Sequence, residues 1–200
     1  MADAYRRSTL ALAILSLLYE APMHPYRMQQ LIRQRGKDKV VNVGQRASLY
    51  KAIERLTAAG LVAVQGTSRD QRFPERTVYE LTDLGREVLM DWIREALAEP
   101  ARSFPEFPAV LSFMVLRPPD EVVVELERRA LQLQADVAEL EGELTAMPVP
   151  RLFLIEDEYR LSTSRAELTW VTSLIDDLRA GRLTWTEEWL RELAGRADAG

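Results

Sequence analysis

The sequence predicts a mainly α-helical chain with a single short two-stranded β element, on three observations. Apolar residues recur at helical spacing through most of the 200 residues. The period drops to two only after Gly60 and again from Thr77 to Leu81. The second half carries a long helical pattern bounded by proline pairs, with no strand signal.

The first helix is expected from about Ser8 to Glu20, with Leu10, Ile14, Leu17 and Leu18 as its apolar stripe. Pro22 and Pro25 interrupt it. A second helix is expected from about Tyr26 to Arg35, with Met28, Leu31 and Ile32 inward and Gly36 as its stop. Lys37 to Gly44 reads as a polar connection broken by Val40 and Val41. The third helix runs from about Gln45 to Ala59. Leu49, Ala52, Ile53 and Leu56 share one face, and Gly60 ends the helix. Ala47, Tyr50, Lys51, Glu54 and Arg55 take the opposite face, with Arg46 and Ser48 on its flanks.

Leu61 to Val64 and Thr77 to Leu81 read as strands, joined by a polar tip carrying Arg69, Arg72 and Arg76. Thr82 is placed to cap a fourth helix with Leu84, Val88, Trp92 and Ala96 in line. Three helices followed by a hairpin with a basic tip is the order of a winged helix-turn-helix. In that fold the third helix enters a DNA major groove and the hairpin is the wing.

Pro100, Pro105 and Pro108 mark a junction. A short apolar helix is expected from about Ala109 to Leu116. Pro118 and Pro119 precede a long helix from about Asp120 to Leu144. Val123, Leu126, Ala130, Leu133, Val137, Leu140 and Leu144 are spaced alternately three and four apart, the seam of a helix that packs lengthwise on another. A further helix runs from about Phe153 to Arg179, with Ile155, Tyr159, Ala166, Trp170 and Leu174 roughly in line, and Gly181 ends it. Thr184 and Glu187 have capping-box spacing for a last helix carrying Trp185, Trp189, Leu190 and Leu193.

Charge divides the chain. Residues 1–82 hold 13 basic and 7 acidic side chains, a net of +6, and the remainder holds 13 basic and 24 acidic, a net of −11. A basic segment on an acidic one suggests a polyanion-binding module attached to something else. Other classes are disfavoured. No cysteine is present, which rules out disulfides and thiolate metal sites and fits a reducing compartment. His24 is the one histidine, so neither a conventional zinc site nor a catalytic triad is expected. The adjacent acids Glu156-Asp157-Glu158 and Asp176-Asp177 diverge around a helix and make no acid/base pair. There is no P-loop or dinucleotide fingerprint. No apolar run approaches membrane length. The run Leu10 to Leu18 lacks the small-residue cleavage site of a signal peptide, because Tyr19, Glu20 and Pro22 follow it. No catalytic residue, metal or cofactor is expected.

Ala47-Ser48-Leu49-Tyr50-Lys51-Ala52-Ile53-Glu54-Arg55-Leu56, followed by Gly60-Leu61-Val62, resembles the third-helix signature of PadR-type regulators. His24-Pro25-Tyr26 stands where that family commonly has Gly-Tyr. Arg76-Thr77-Val78-Tyr79-Glu80-Leu81-Thr82, with Gly85, is similar to its wing-to-helix junction. The likeness covers about Thr9 to Gly85. Lys51 departs from it, since many members have proline there, and so does His24-Pro25.

The resemblance implies a sequence-specific DNA-binding transcriptional regulator. The expected form is a cytoplasmic homodimeric repressor on a near-palindromic operator, released by a small effector. The alternative is a winged-helix module that binds proteins. Residues 1–99 would form the DNA-binding domain and 100–200 a helical dimerisation domain that also senses the effector. Candidate DNA contacts are Tyr26, Gln45, Arg46, Ser48, Tyr50, Lys51, Arg69, Arg72 and Arg76. The long-helix seam, with Trp170 and Leu174, is the candidate dimer surface. Some family members sense flat aromatic compounds, which makes Trp92, Phe104, Phe107, Phe113 and Trp170 a candidate pocket for an aromatic or hydrophobic effector. Packing in the core or at an interface is the competing role for each of these aromatics.

Overall fold

The computed structural model describes residues 7–44, 46–68, 76–100, 104–146 and 148–197. Contacts divide the chain into two compact units, 1–102 and 103–200.

The first unit contains α1 (Thr9–Glu20), α2 (Pro25–Gln34), α3 (Arg46–Ala58), β1 (Val62–Ser68), β2 (Arg76–Leu81) and α4 (Asp83–Ala98). Ser8 caps α1 by accepting from the Ala11 amide at 3.1 Å. His24 caps α2 through Nδ1, which accepts from the Arg27 amide at 3.0 Å. Pro25 opens α2, where its missing N–H costs nothing. It starts a helix where the sequence suggested only an interruption.

The apolar faces of α1, α2 and α3 converge on one core. Ile14, Leu15, Met28, Ile53, Leu56 and Leu89 are fully buried there. Burial of side chains of this size contributes about 1.5–3 kcal/mol each. The expected inner face of α3 is the observed one, since Leu49, Ala52, Ile53 and Leu56 are all buried.

Strands β1 and β2 pair antiparallel, with an irregularity between Val64 and Gly66. β1 runs four residues beyond its expected end at Val64, which lengthens the wing. A third stretch joins this sheet. Met23 and Tyr79 exchange backbone hydrogen bonds of 3.0 and 3.1 Å. A one-residue bridge has no period, so nothing in the pattern announces it.

The second unit contains α5 (Glu106–Leu111), α6 (Pro119–Ala146), α7 (Ile155–Arg179) and α8 (Glu187–Ala197). α5 starts and ends earlier than expected, and a 3-10 turn at Met114–Leu116 replaces its last part. α6 and α7 lie antiparallel, tied by Glu127–Arg179, Arg129–Glu167 and Glu141–Arg165 ion pairs. Leu126, Ala130 and Leu133 of α6 share a core with Val171, Ile175 and Leu178 of α7. The heptad seam therefore packs on a helix of its own chain. Leu140 is also buried, and Val123, Val137 and Leu144 are half-buried.

The expected capping box at Thr184 and Glu187 is corrected. α8 begins at Glu187, and the Thr186 hydroxyl accepts from the Trp189 amide at 3.1 Å. Trp185 lies outside the helix and is buried, with Nε1 donating to the Arg117 carbonyl at 2.9 Å. Burial of its ring and this bond fix the chain before α8, so capping passes to the next hydroxyl.

Candidate nucleic-acid interface

The burial of Leu49, Ala52, Ile53 and Leu56 fixes how α3 is rotated about its axis. It turns Ala47, Ser48, Tyr50, Lys51, Glu54 and Arg55 to solvent. Tyr50 is 48% exposed, a large exposure for an aromatic ring on a helix that buries its other face. A phenol, a hydroxyl and an ammonium within one helical turn are groups that can contact phosphates and base edges.

Tyr26, at the start of α2, is also exposed, and its ring stacks on His24 with centroids 6.1 Å apart. Arg76 opens β2, paired with Ser68 of β1. Arg46 is the first residue of α3, but its side chain and that of Arg76 lie outside the described set. Gln45, Arg69 and Arg72 lie wholly outside the described residues. Of the nine candidate DNA contacts, the structure thus describes the side chains of Tyr26, Ser48, Tyr50 and Lys51, and all four are exposed.

The junction behind the wing is tightly built. The Thr82 hydroxyl accepts from the Gly85 amide at 2.9 Å and donates to the Gly60 carbonyl at 2.8 Å. A Cβ on Gly85 would fall 2.0 Å from the Leu61 carbonyl oxygen, so only glycine allows α4 to approach β1 this closely. At the far end of α1, Glu20 accepts from both terminal nitrogens of Arg35 at 2.5 and 2.7 Å, joining α1 to the end of α2. These hydrogen bonds hold the Glu20 carboxyl below its ordinary range, against a smaller opposing effect of burial.

Pattern reading missed Gln29. It is 6% exposed, and its Nε2 donates to the Val43 carbonyl at 3.2 Å. The available signal was a polar residue three positions before Ile32, within the inward face of α2.

The five aromatics of the expected effector pocket are divided between the two units, Trp92 in the first and the other four in the second. Trp92 packs against the core of the first unit. Phe104 is 95% exposed. Phe107 meets Trp170 edge-on at 6.2 Å, and the Arg129 guanidinium lies 3.5 Å over the Phe107 ring. Phe107 and Phe113 line an apolar groove of about 470 Å³ with Val110, Met114 and Leu126. Among the described residues no cluster of His, Asp or Glu could hold a metal ion, and no helix is long and apolar enough to cross a membrane.

Residues 14–91 match the sequence model of the transcriptional regulator PadR-like family. No curated protein matches the chain. Solved structures do, at low identity. Bacillus subtilis PadR in complex with operator DNA is 20% identical with a TM-score of 0.66, covering 86% of this chain and 99% of that one. The same protein in complex with p-coumaric acid gives 18% and 0.63, with 86% and 99% covered. The Vibrio cholerae virulence activator AphA gives 18% and 0.61, again with 86% and 99% covered. The first unit therefore carries a winged-helix domain whose residues 14–91 match the PadR-like family model, in a chain that shares the fold of the longer PadR regulators.

Proposed function

We propose that this chain is a homodimeric, sequence-specific transcriptional repressor that binds a near-palindromic operator and releases it on binding a small apolar or aromatic effector. The observation that carries the reading is the outward face of α3, where Ser48, Tyr50, Lys51 and Arg55 stand exposed beside a wing. Residues 1–99 are the DNA-binding domain and 100–200 the dimerisation domain, and the protein acts in the cytoplasm. Two α3 helices presented by a two-fold dimer would enter successive major grooves about 34 Å apart. Arg46, Arg69, Arg72 and Arg76 would hold the phosphates, while Tyr26 and Gln45 complete the contact surface.

The dimer surface is supported by α7. Ile155, Tyr159, Ala166 and Trp170 are exposed along one side of it, and Trp170 is 49% exposed although its edge meets Phe107. The groove at Phe107 and Phe113 supports the effector reading by its size and apolar lining.

A mobility shift on the upstream region of the protein's own gene tests the reading. Tyr50→Ala with Lys51→Ala is expected to abolish specific retardation and to leave the sedimentation coefficient unchanged. Parent-like retardation by the double variant would sink the assignment of α3. A winged helix that serves as a protein scaffold has no need of a basic, hydroxyl-bearing α3 face, and it would give no retardation with the parent protein.

A further inference from the structure

In a helix-turn-helix the two helices are commonly joined by about three or four residues. Here α2 ends at Gln34 and α3 begins at Arg46, so residues 35–45 separate them. A connection this long does not fix the pose of α3 by turn geometry. Its first part folds on itself, the Lys37 carbonyl accepting from the amides of Val40 and Val41 at 3.1 and 2.8 Å. Val40 is 42% exposed and Val41 is half-buried against the core, both beside two open clefts of about 460 and 430 Å³, so this stretch is braced on one side only.

The chain becomes anchored again at Val43, three residues before α3. The Val43 side chain is 3% exposed, and its carbonyl accepts from Gln29 Nε2. Asn42 Oδ1 then accepts from the Gly44 amide at 3.1 Å, which shapes the last step into α3.

We infer that Gln29 is a positioning residue for DNA recognition, whose buried amide pins the backbone at Val43 and thereby sets where the first turns of α3 stand. The inference rests on the reading that α3 contacts DNA. Gln29 itself lies inside the first unit and touches no base. Without its donor the Val43 carbonyl loses the buried hydrogen bond that Gln29 supplies, and the segment gains by moving toward water. The charge of α3 and the wing is unchanged by such a loss, so attraction to phosphate persists. Base-edge hydrogen bonds depend on placement and are lost first.

The test compares the parent with Gln29→Met, which keeps length and volume and removes the donor. Gln29→Asn, one methylene too short to reach Val43, serves if the first variant does not fold. Amide hydrogen exchange without DNA is expected to rise about tenfold at residues 43–48 and to stay unchanged in α1, a loss of one hydrogen bond's worth of protection. Operator affinity is expected to fall about tenfold while affinity for unrelated duplex and its salt slope hold. Unchanged exchange at 43–48 overturns the inference. An equal fall on operator and unrelated duplex also overturns it, because that marks a general loss of structure. If the parent binds no DNA, the reading of α3 fails and the exchange experiment alone decides on the pin.

Discussion

Four single positions carry sharply different risks. Gly85→Ala places a carbon 2.0 Å from the Leu61 carbonyl oxygen and 2.8 Å from Leu81 Cδ1. Two of the obstructing atoms are backbone, so the clash cannot be relieved by turning a side chain. A loss of about 3 kcal/mol or more is expected in urea unfolding, at the upper end of overpacking penalties. Glu20→Gln tests a gentler effect. The carboxyl is held below its ordinary range by Arg35, so its ionised form is favoured by folding. Its stabilisation is fully present above the ordinary carboxylate pKa and disappears as pH falls through the lowered value. Both partners are nearly half exposed, which limits the effect to about 1 kcal/mol or less. The stability gap between parent and Glu20→Gln is therefore expected at neutral pH and should close on acidification. A gap that persists in acid would show that the substitution acts through packing instead. Lys51 and Tyr50 have the opposite profile. They are exposed, so their loss is expected to alter DNA binding and leave melting unchanged.

Elements with a repeating period were legible in the sequence, and those fixed by a single contact were not. The inner face of α3 follows from four apolar residues at helical spacing, and the observed burial matches it residue for residue. The Met23–Tyr79 bridge and the cap of α8 depend on a partner distant in sequence or on one hydroxyl, and neither has a periodic signature. The seam of α6 shows a subtler limit. A heptad states that a helix packs lengthwise and leaves the partner unspecified; the partner here is α7 of the same chain. At the interface, the face of α3 was readable because rotation is dictated by the buried side, whereas Gln29 was hidden because a buried amide resembles a solvated one in sequence. Thr82 lies between these cases. Its capping role follows from position, while its second bond, to Gly60, required the fold. Thr82→Ala removes both, and a loss of about 1–2 kcal/mol is expected by thermal unfolding. Thr82→Ser retains both groups and is expected to recover most of it.

At the scale of the molecule, charge and assembly pull in opposite directions. Residues 1–82 carry a net +6 and the remainder a net −11. A dimer built through the second unit brings two acidic surfaces together, and their repulsion is strongest when ionic strength is low. The screening length shrinks from about 30 Å at 0.01 M salt to about 10 Å at 0.1 M and 3 Å at 1 M. The exposed stripe of α7 is apolar, and burial of apolar surface is not weakened by such screening. Dimerisation is therefore expected to tighten as sodium chloride is raised from about 20 mM to about 500 mM. DNA binding must respond the other way, since each phosphate contact releases a counterion and affinity falls linearly in the logarithm of salt. Sedimentation equilibrium and fluorescence anisotropy over the same salt series separate the two equilibria. A dimer that weakens with salt would mean that ion pairs between the copies hold it together, and the apolar stripe of α7 would then be the wrong surface.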